Sequence, residues 1–271
     1  MKKKLTFLIF LIFAFNFSYS AENYPAGARA LALSNAFVSV SDPWNTFHNQ
    51  AGLASLENIS AGVFYESRFM IDELSHVAGT FVAPVKAGTF GFSFSQFGKG
   101  TYKEHKLGLA FAKQLTKKLN AAIQLDYLST RFPENENAFG FATFEAGVVY
   151  EATDDLFFGA HVFNPISNGF DLPEGMQKMP AIIRVGGHYQ FPKMVLLTFE
   201  TEKKLENPFI IKTGIEFSPV KNLSLRFGVS GKPVKYSAGI GYTVGKISTD
   251  ISFSYHGNLG LTPAVSIQFA L

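Results

Sequence analysis

From Asn58 onward, large apolar side chains fall on every second residue, the period of a strand whose two faces meet different surroundings. In Thr89 to Phe97, Phe90, Phe92 and Phe94 share one side, with Gly91, Ser93 and Ser95 on the other. Leu107, Leu109 and Phe111 alternate with Gly108, Ala110 and Ala112, and Leu223, Leu225, Phe227 and Val229 with Ser224, Arg226 and Gly228. The pattern continues through Tyr236–Val244 and Ile247–Tyr255 to Leu271. It predicts about fourteen strands near 58–66, 73–84, 87–97, 103–113, 118–129, 138–151, 154–163, 180–191, 193–202, 210–218, 221–230, 235–245, 246–255 and 262–271. Their length, roughly ten residues, is that of a tilted strand crossing a bilayer.

The connections alternate too. Those at 84–86, 116–118, 153–155, 191–193, 218–221 and 244–246 are tight, whereas 130–138, 164–180 and 200–208 are long or polar, the asymmetry of outer-membrane barrels. A soluble sandwich would also alternate, so the residue types on the small face decide. That face holds Gly, Ala and Ser rather than the Thr, Lys and Glu of a solvated sheet, as a narrow, occupied lumen requires. The large face suits lipid, and Tyr65, Tyr102, Tyr127, Tyr150, Tyr189 and Tyr255 lie near segment ends, where an aromatic girdle belongs. The expected fold is all-β: a transmembrane antiparallel barrel over residues 58–271, both mature termini on the side of the tight turns.

Composition narrows the class. Hydrophobic residues make up 47% and charged residues 17% of 271, with no cysteine, so disulfides and thiolate metal sites are excluded. No window after residue 20 supplies a spanning helix. Residues 1–20, with Lys2, Lys3 and Lys4 before an apolar run and Ser18 and Ser20 before Ala21, read as a secretory signal peptide, an uncleaved anchor being the alternative. Removing three lysines from a net charge of +3 leaves a neutral chain with no electrostatic reason to bind nucleic acid.

Residues 21–57 differ in texture. Helices are expected at 26–34 and 43–48, with Asp42 as N-cap and Pro43 at the first helical position, and a short extended piece at Ala36–Ser41. Too short for a separate globular domain, this segment fits inside the barrel as a plug. Its residues 26–54 resemble the opening signature of the PorV/PorQ family of outer-membrane barrels, related to the fatty-acid transporter FadL. Gly27, Ala28, Arg29 and Ala30 match its start, Ala36, Phe37, Val38 and Asp42 its middle, and Asn49, Ala51, Gly52 and Leu53 its end. Gln50 stands where the family has proline, and Ser34-Asn35 where a glycine pair is common. The resemblance implies a Gram-negative outer membrane and one of two roles. The first is a non-enzymatic component of a type IX-like secretion or assembly complex, partnered by other envelope proteins; the alternative is a FadL-like transporter holding a hydrophobic ligand. The chain is shorter than most cargo-binding members.

Catalytic and cofactor chemistry finds little footing. His48, His76, His105, His161, His188 and His256 keep no ligand spacing, Gly239-x-Gly241-x-x-x-Gly245 lies within a strand, and Ser218-Pro-Val-Lys221 is a turn. Ser254 and His256 share the small face without an assignable acid partner. Neither a cofactor nor a metal is expected. Lumen-facing Asp126, Arg184, Glu200, Lys212, Glu216, Arg226 and Asp250 carry both signs, which either brace wall and plug or form a polar constriction that meets Arg29. The plug either seals the barrel or shifts, with Gly27 and Gly52 as its hinges.

Overall fold

The computed structural model describes residues 22–131, 138–172, 175–192, 194–205 and 207–271; the expected signal peptide lies outside the described residues. The strands are β1 (Ser60–Ser67), β2 (Ser75–Val85), β3 (Gly88–Phe97), β4 (Lys103–Thr116), β5 (Leu119–Arg131), β6 (Ala138–Thr153), β7 (Leu156–Phe163), β8 (Gly169–Leu172), β9 (Gly175–Lys178), β10 (Ile182–Phe191), β11 (Val195–Lys204), β12 (Ile210–Val220), β13 (Leu223–Ser230), β14 (Lys235–Val244), β15 (Ile247–His256) and β16 (Gly260–Ala270). Fourteen of them form a closed antiparallel barrel in which each strand pairs with its sequence neighbours, β7 with β10, and β1 with β16. Closure leaves no unpaired edge, the condition for a sheet to span lipid.

The remaining two, β8 and β9, make a hairpin inside the 164–180 connection, where the sequence shows no strands because four residues are too few for a period-two pattern. Its Phe170 packs with Leu128, Phe141, Phe163, Met179 and Ile182 at the long-loop end of the wall.

Alternation sorts the faces as expected. Phe90, Phe92 and Phe94 are exposed on the outer surface while Gly91, Ser93 and Ser95 are buried, and the same holds for Leu107 and Leu109 against Gly108 and Ala110. Tyr65, Tyr127, Tyr150 and Tyr255 stand exposed near strand ends, but Tyr102 departs from the expected girdle. It precedes β4 and donates its hydroxyl to Glu104 at 2.5 Å.

The lumen is filled by the segment before β1. Helix α1 (Ala28–Ala32) and two 3-10 turns, Pro43–Phe47 and Gln50–Ser55, are connected by turns, with Trp44, Phe37, Phe47, Leu33 and Leu53 fully buried. The extended piece expected at Ala36–Ser41 is absent, because Glu200 of β11 accepts the Phe37 and Val38 amides, both at 2.9 Å, that a strand would give to a neighbouring strand. Ser34 and Asn35, with φ of 55° and 57°, take the left-handed conformation that glycine adopts most readily.

The expected placement of both ends also needs correction. Leu271 lies at the tight-turn end, its amide bonded to the Ile59 carbonyl, but Glu22 sits at the long-loop end, 3.3 Å from Lys204 and 4.0 Å from Arg68. An even strand count governs where β1 starts and β16 stops; the preceding segment runs down the lumen from the opposite mouth.

Candidate functional site: the luminal segment and its charged wall

The motif residues form the contacts of this segment. Gly27 has φ +105°, and a methyl group there would stand 2.7 Å from Trp44 Cγ. Asp42 caps the Pro43–Phe47 turn by accepting the Trp44 amide at 3.0 Å, as the sequence predicts. Asn49 caps the next turn through Ala51 N and donates to the carbonyls of Val38 at 2.6 Å and Val148 at 3.1 Å, tying segment to wall. Phe37 is buried against His48, their ring centroids 5.1 Å apart. A methyl at Gly52 would fall 2.0 Å from Asn45 Nδ2 and 2.8 Å from the Val40 carbonyl. Both glycines expected as hinges are thus points of close approach within the packed segment.

Glycines of the wall make room in the same way. A Cβ at Gly159 would meet the Val38 carbonyl oxygen at 2.3 Å, and one at Gly214 would meet Leu33 Cβ at 2.8 Å. The small-residue face is therefore dictated by an occupied interior.

The luminal charges resolve into three groups, two of which contain side chains directly opposite one another across strand pairs. On β12 and β13, Glu216 faces Arg226 at 2.5 Å, and Arg226 reaches Asp250 of β15 at 2.6 Å. Arg29 joins this group with Nε and Nη2 on the two Glu216 oxygens, each at 2.9 Å, and Nη1 on Asp42 at 3.0 Å. On β10 to β12, Lys212 lies 2.8 Å from both Glu200 and Glu202, and Arg184 3.0 Å from Glu202. Asp126 belongs elsewhere, with Lys106 at 3.6 Å.

This third group contains residues the sequence reading missed. Lys106 pairs with Glu145, His161 donates to Glu145 at 2.8 Å, and Gln50 of the luminal segment donates to the same carboxylate at 2.9 Å. Lys106 shares the inward face with Gly108 and Ala110, so extending that alternation by one step would have found it. Gln50 uses its side-chain amide for a wall contact that a proline at this position could not make.

Two cavities flank the segment. One of about 350 Å³ opens at the long-loop end, bordered by Glu22, Arg68, Arg184, Lys204, Lys212 and Lys235; the other, about 170 Å³, lies at the tight-turn end beside Pro43, Leu56, Asn58 and Lys246. Ser254 and His256 border the first, but His256 Nδ1 accepts the Asn258 and Leu259 amides at 3.2 Å and is occupied in shaping a turn. Among the described residues no three His, Asp or Glu side chains assemble as a metal site.

No family model matches the chain, and no curated protein does either. Solved structures do. A CymD monoaromatic hydrocarbon channel superposes with a TM-score of 0.67 at 12% identity, over 91% of this chain and 97% of that one. The toluene transporter TbuX of Ralstonia pickettii gives 0.67 at 12% over 90% and 98%, and a FadL homologue of Pseudomonas aeruginosa 0.63 at 13% over 91% and 98%. These comparisons lend no support to the PorV/PorQ secretion assignment, which rests on residues 26–54 alone. At such identities the likeness is one of fold: the chain is similar in architecture, over nearly its whole length, to FadL-type channels.

Proposed function

We propose that this chain is a non-enzymatic outer-membrane barrel that passes small hydrophobic molecules, with residues 21–57 as its plug. The tight turns then face the periplasm and the long loops the exterior, and residues 1–20 serve as the export signal. A closed barrel with an apolar outer belt is suited to lipid. The observation that carries the transport reading is a luminal segment held by side chains and separating two cavities, within a fold shared with hydrocarbon channels. A seal that had only to close the barrel would not need buried charges, whose removal from water is costly. Bonds between ionised groups can exchange partners, so the segment can move without the chain unfolding.

Absence of cysteine makes the test clean. Ser34 Oγ of the segment lies 3.1 Å from Ser237 Oγ of β14, so S34C/S237C places two thiols where a disulfide staples plug to wall. Oxidised, this variant should lose uptake of a radiolabelled monoaromatic hydrocarbon into proteoliposomes, and reduction should restore it. Uptake that ignores a verified disulfide would defeat the gating reading, and uptake no greater than in empty vesicles would defeat transport itself.

A further inference from the structure

On the outer face of the barrel, near the long-loop end, Lys103 of β4 and Arg131 of β5 are direct cross-strand partners. Both share the face of Leu107 and Tyr127, while Glu104 and Thr130 between them turn inward. Like charges opposite one another on a sheet repel, and that arrangement is destabilising unless an anion lies between them. Among the described residues neither side chain has an acidic partner within ion-pair distance.

One row nearer the belt, His105 pairs with Gln96 on one side and Ser129 on the other. His105 and Gln96 are 3.2 Å apart, and the imidazole stacks over Phe94 with ring centroids at 6.4 Å. Below that row the surface becomes continuously apolar, through Phe94, Leu107 and Tyr127. Read from the rim toward the belt, the order is two cations, then neutral hydrogen-bonding groups, then hydrocarbon.

That order mirrors a phosphorylated amphiphile. We infer that β3, β4 and β5 carry a lipid site on the outer wall, with Lys103 and Arg131 holding a phosphate of an outer-leaflet glycolipid and the acyl chains lying along Phe94, Leu107 and Tyr127. Guanidinium and ammonium groups make charge-assisted hydrogen bonds to phosphate oxygens, and the height just above the belt is where headgroup phosphates reside. A free phosphate ion would satisfy the charges but leave the adjoining apolar surface without a role. The site rests on the barrel's membrane orientation and is independent of what passes through the lumen.

The test uses the full chain, inserted into vesicles containing a phosphorylated glycolipid, extracted in mild detergent and weighed by native mass spectrometry. K103S/R131S should retain at least about tenfold less glycolipid than the parent. K203S, which removes a cation of the same outer rim on β11, should retain it fully. Equal retention by K103S/R131S and the parent would overturn the site, as would displacement of the lipid by millimolar inorganic phosphate or equal binding of the dephosphorylated glycolipid. Insertion, read separately as heat-modifiable migration in gels, distinguishes a failed site from a failed barrel: a parent chain that does not insert overturns the membrane reading and this site with it.

Discussion

Arg29 of the luminal segment and Glu216 of strand β12 meet side on, two guanidinium nitrogens each 2.9 Å from a different carboxylate oxygen. Such a fork-to-fork pair fixes direction as well as distance. The third nitrogen holds Asp42 at 3.0 Å, so one side chain joins the start of the segment, its middle and the wall. Arg29→Ala leaves Asp42 without its ion-pair partner and Glu216 with Arg226 alone, and should destabilise the folded barrel by about 3 kcal/mol. Arg29→Ala combined with Glu216→Ala should cost less than the sum of the two single changes, because each alone strands the other's charge. Urea unfolding in lipid vesicles measures all three, and strict additivity would show that the pair is not coupled.

Gly159 of β7 is a wall position whose missing side chain accommodates the Val38 carbonyl. Gly159→Ala puts a methyl 2.3 Å from that oxygen, a backbone atom with no rotamer to escape by. The expected cost is about 1–3 kcal/mol, with the segment displaced inward. Gly257→Ala, where the added methyl meets nothing within 4 Å, is the control and should be silent. Trp44, the one tryptophan in the chain, is buried in the segment, so its emission reports displacement directly. An unchanged Trp44 spectrum in Gly159→Ala would contradict the packing described.

Barrel and plug differ in how far they can be read from the chain. Strands such as β3 and β14 announce themselves because every second residue is exposed on the outer surface, and the constraint repeats over ten residues. The luminal segment has no repeating surroundings: its turns are set one at a time by partners distant in sequence, as Glu200 sets the backbone at Phe37 and Val38. Asp42 was legible as a cap because capping is local. The polar group around Glu145 was not, since Lys106, His161 and Gln50 come from three separate elements that only closure of the barrel brings together. Inward alternation identifies which charges enter the lumen; it is blind to which of them meet.

Gln50 tests that last point. It donates to Glu145 at 2.9 Å and is fully buried, so Gln50→Leu removes a neutral donor from a carboxylate that keeps Lys106 and His161. The loss should be about 1–2 kcal/mol, smaller than for Arg29→Ala. Gln50→Glu, nearly isosteric, sets two carboxylates against each other and should cost more than the leucine. The same urea titrations rank the three, and a leucine variant worse than the glutamate would mean that volume, not charge, governs this contact.

His48 makes the segment sensitive to acid. Its imidazole is buried, donates from Nε2 to the Ala26 carbonyl at 2.9 Å and packs against Phe37. Burial, aided by the positive fields of Arg184 and Lys212, outweighs the Ala26 contact and holds its pKa down to about 3 from the usual 6.5. The folded chain therefore resists a proton that the unfolded chain accepts. Stability from this group is fully present above pH 6.5 and is withdrawn as pH falls toward about 3, at about 1.4 kcal/mol for each unit crossed. His48→Gln keeps a donor and removes the titration. In the parent, a red shift of Trp44 emission is expected as the pH falls below 6, before most carboxylates protonate; in His48→Gln the shift should come at lower pH than in the parent. Identical profiles for the two proteins would place the acid sensitivity elsewhere in the lumen and leave His48 a purely structural side chain.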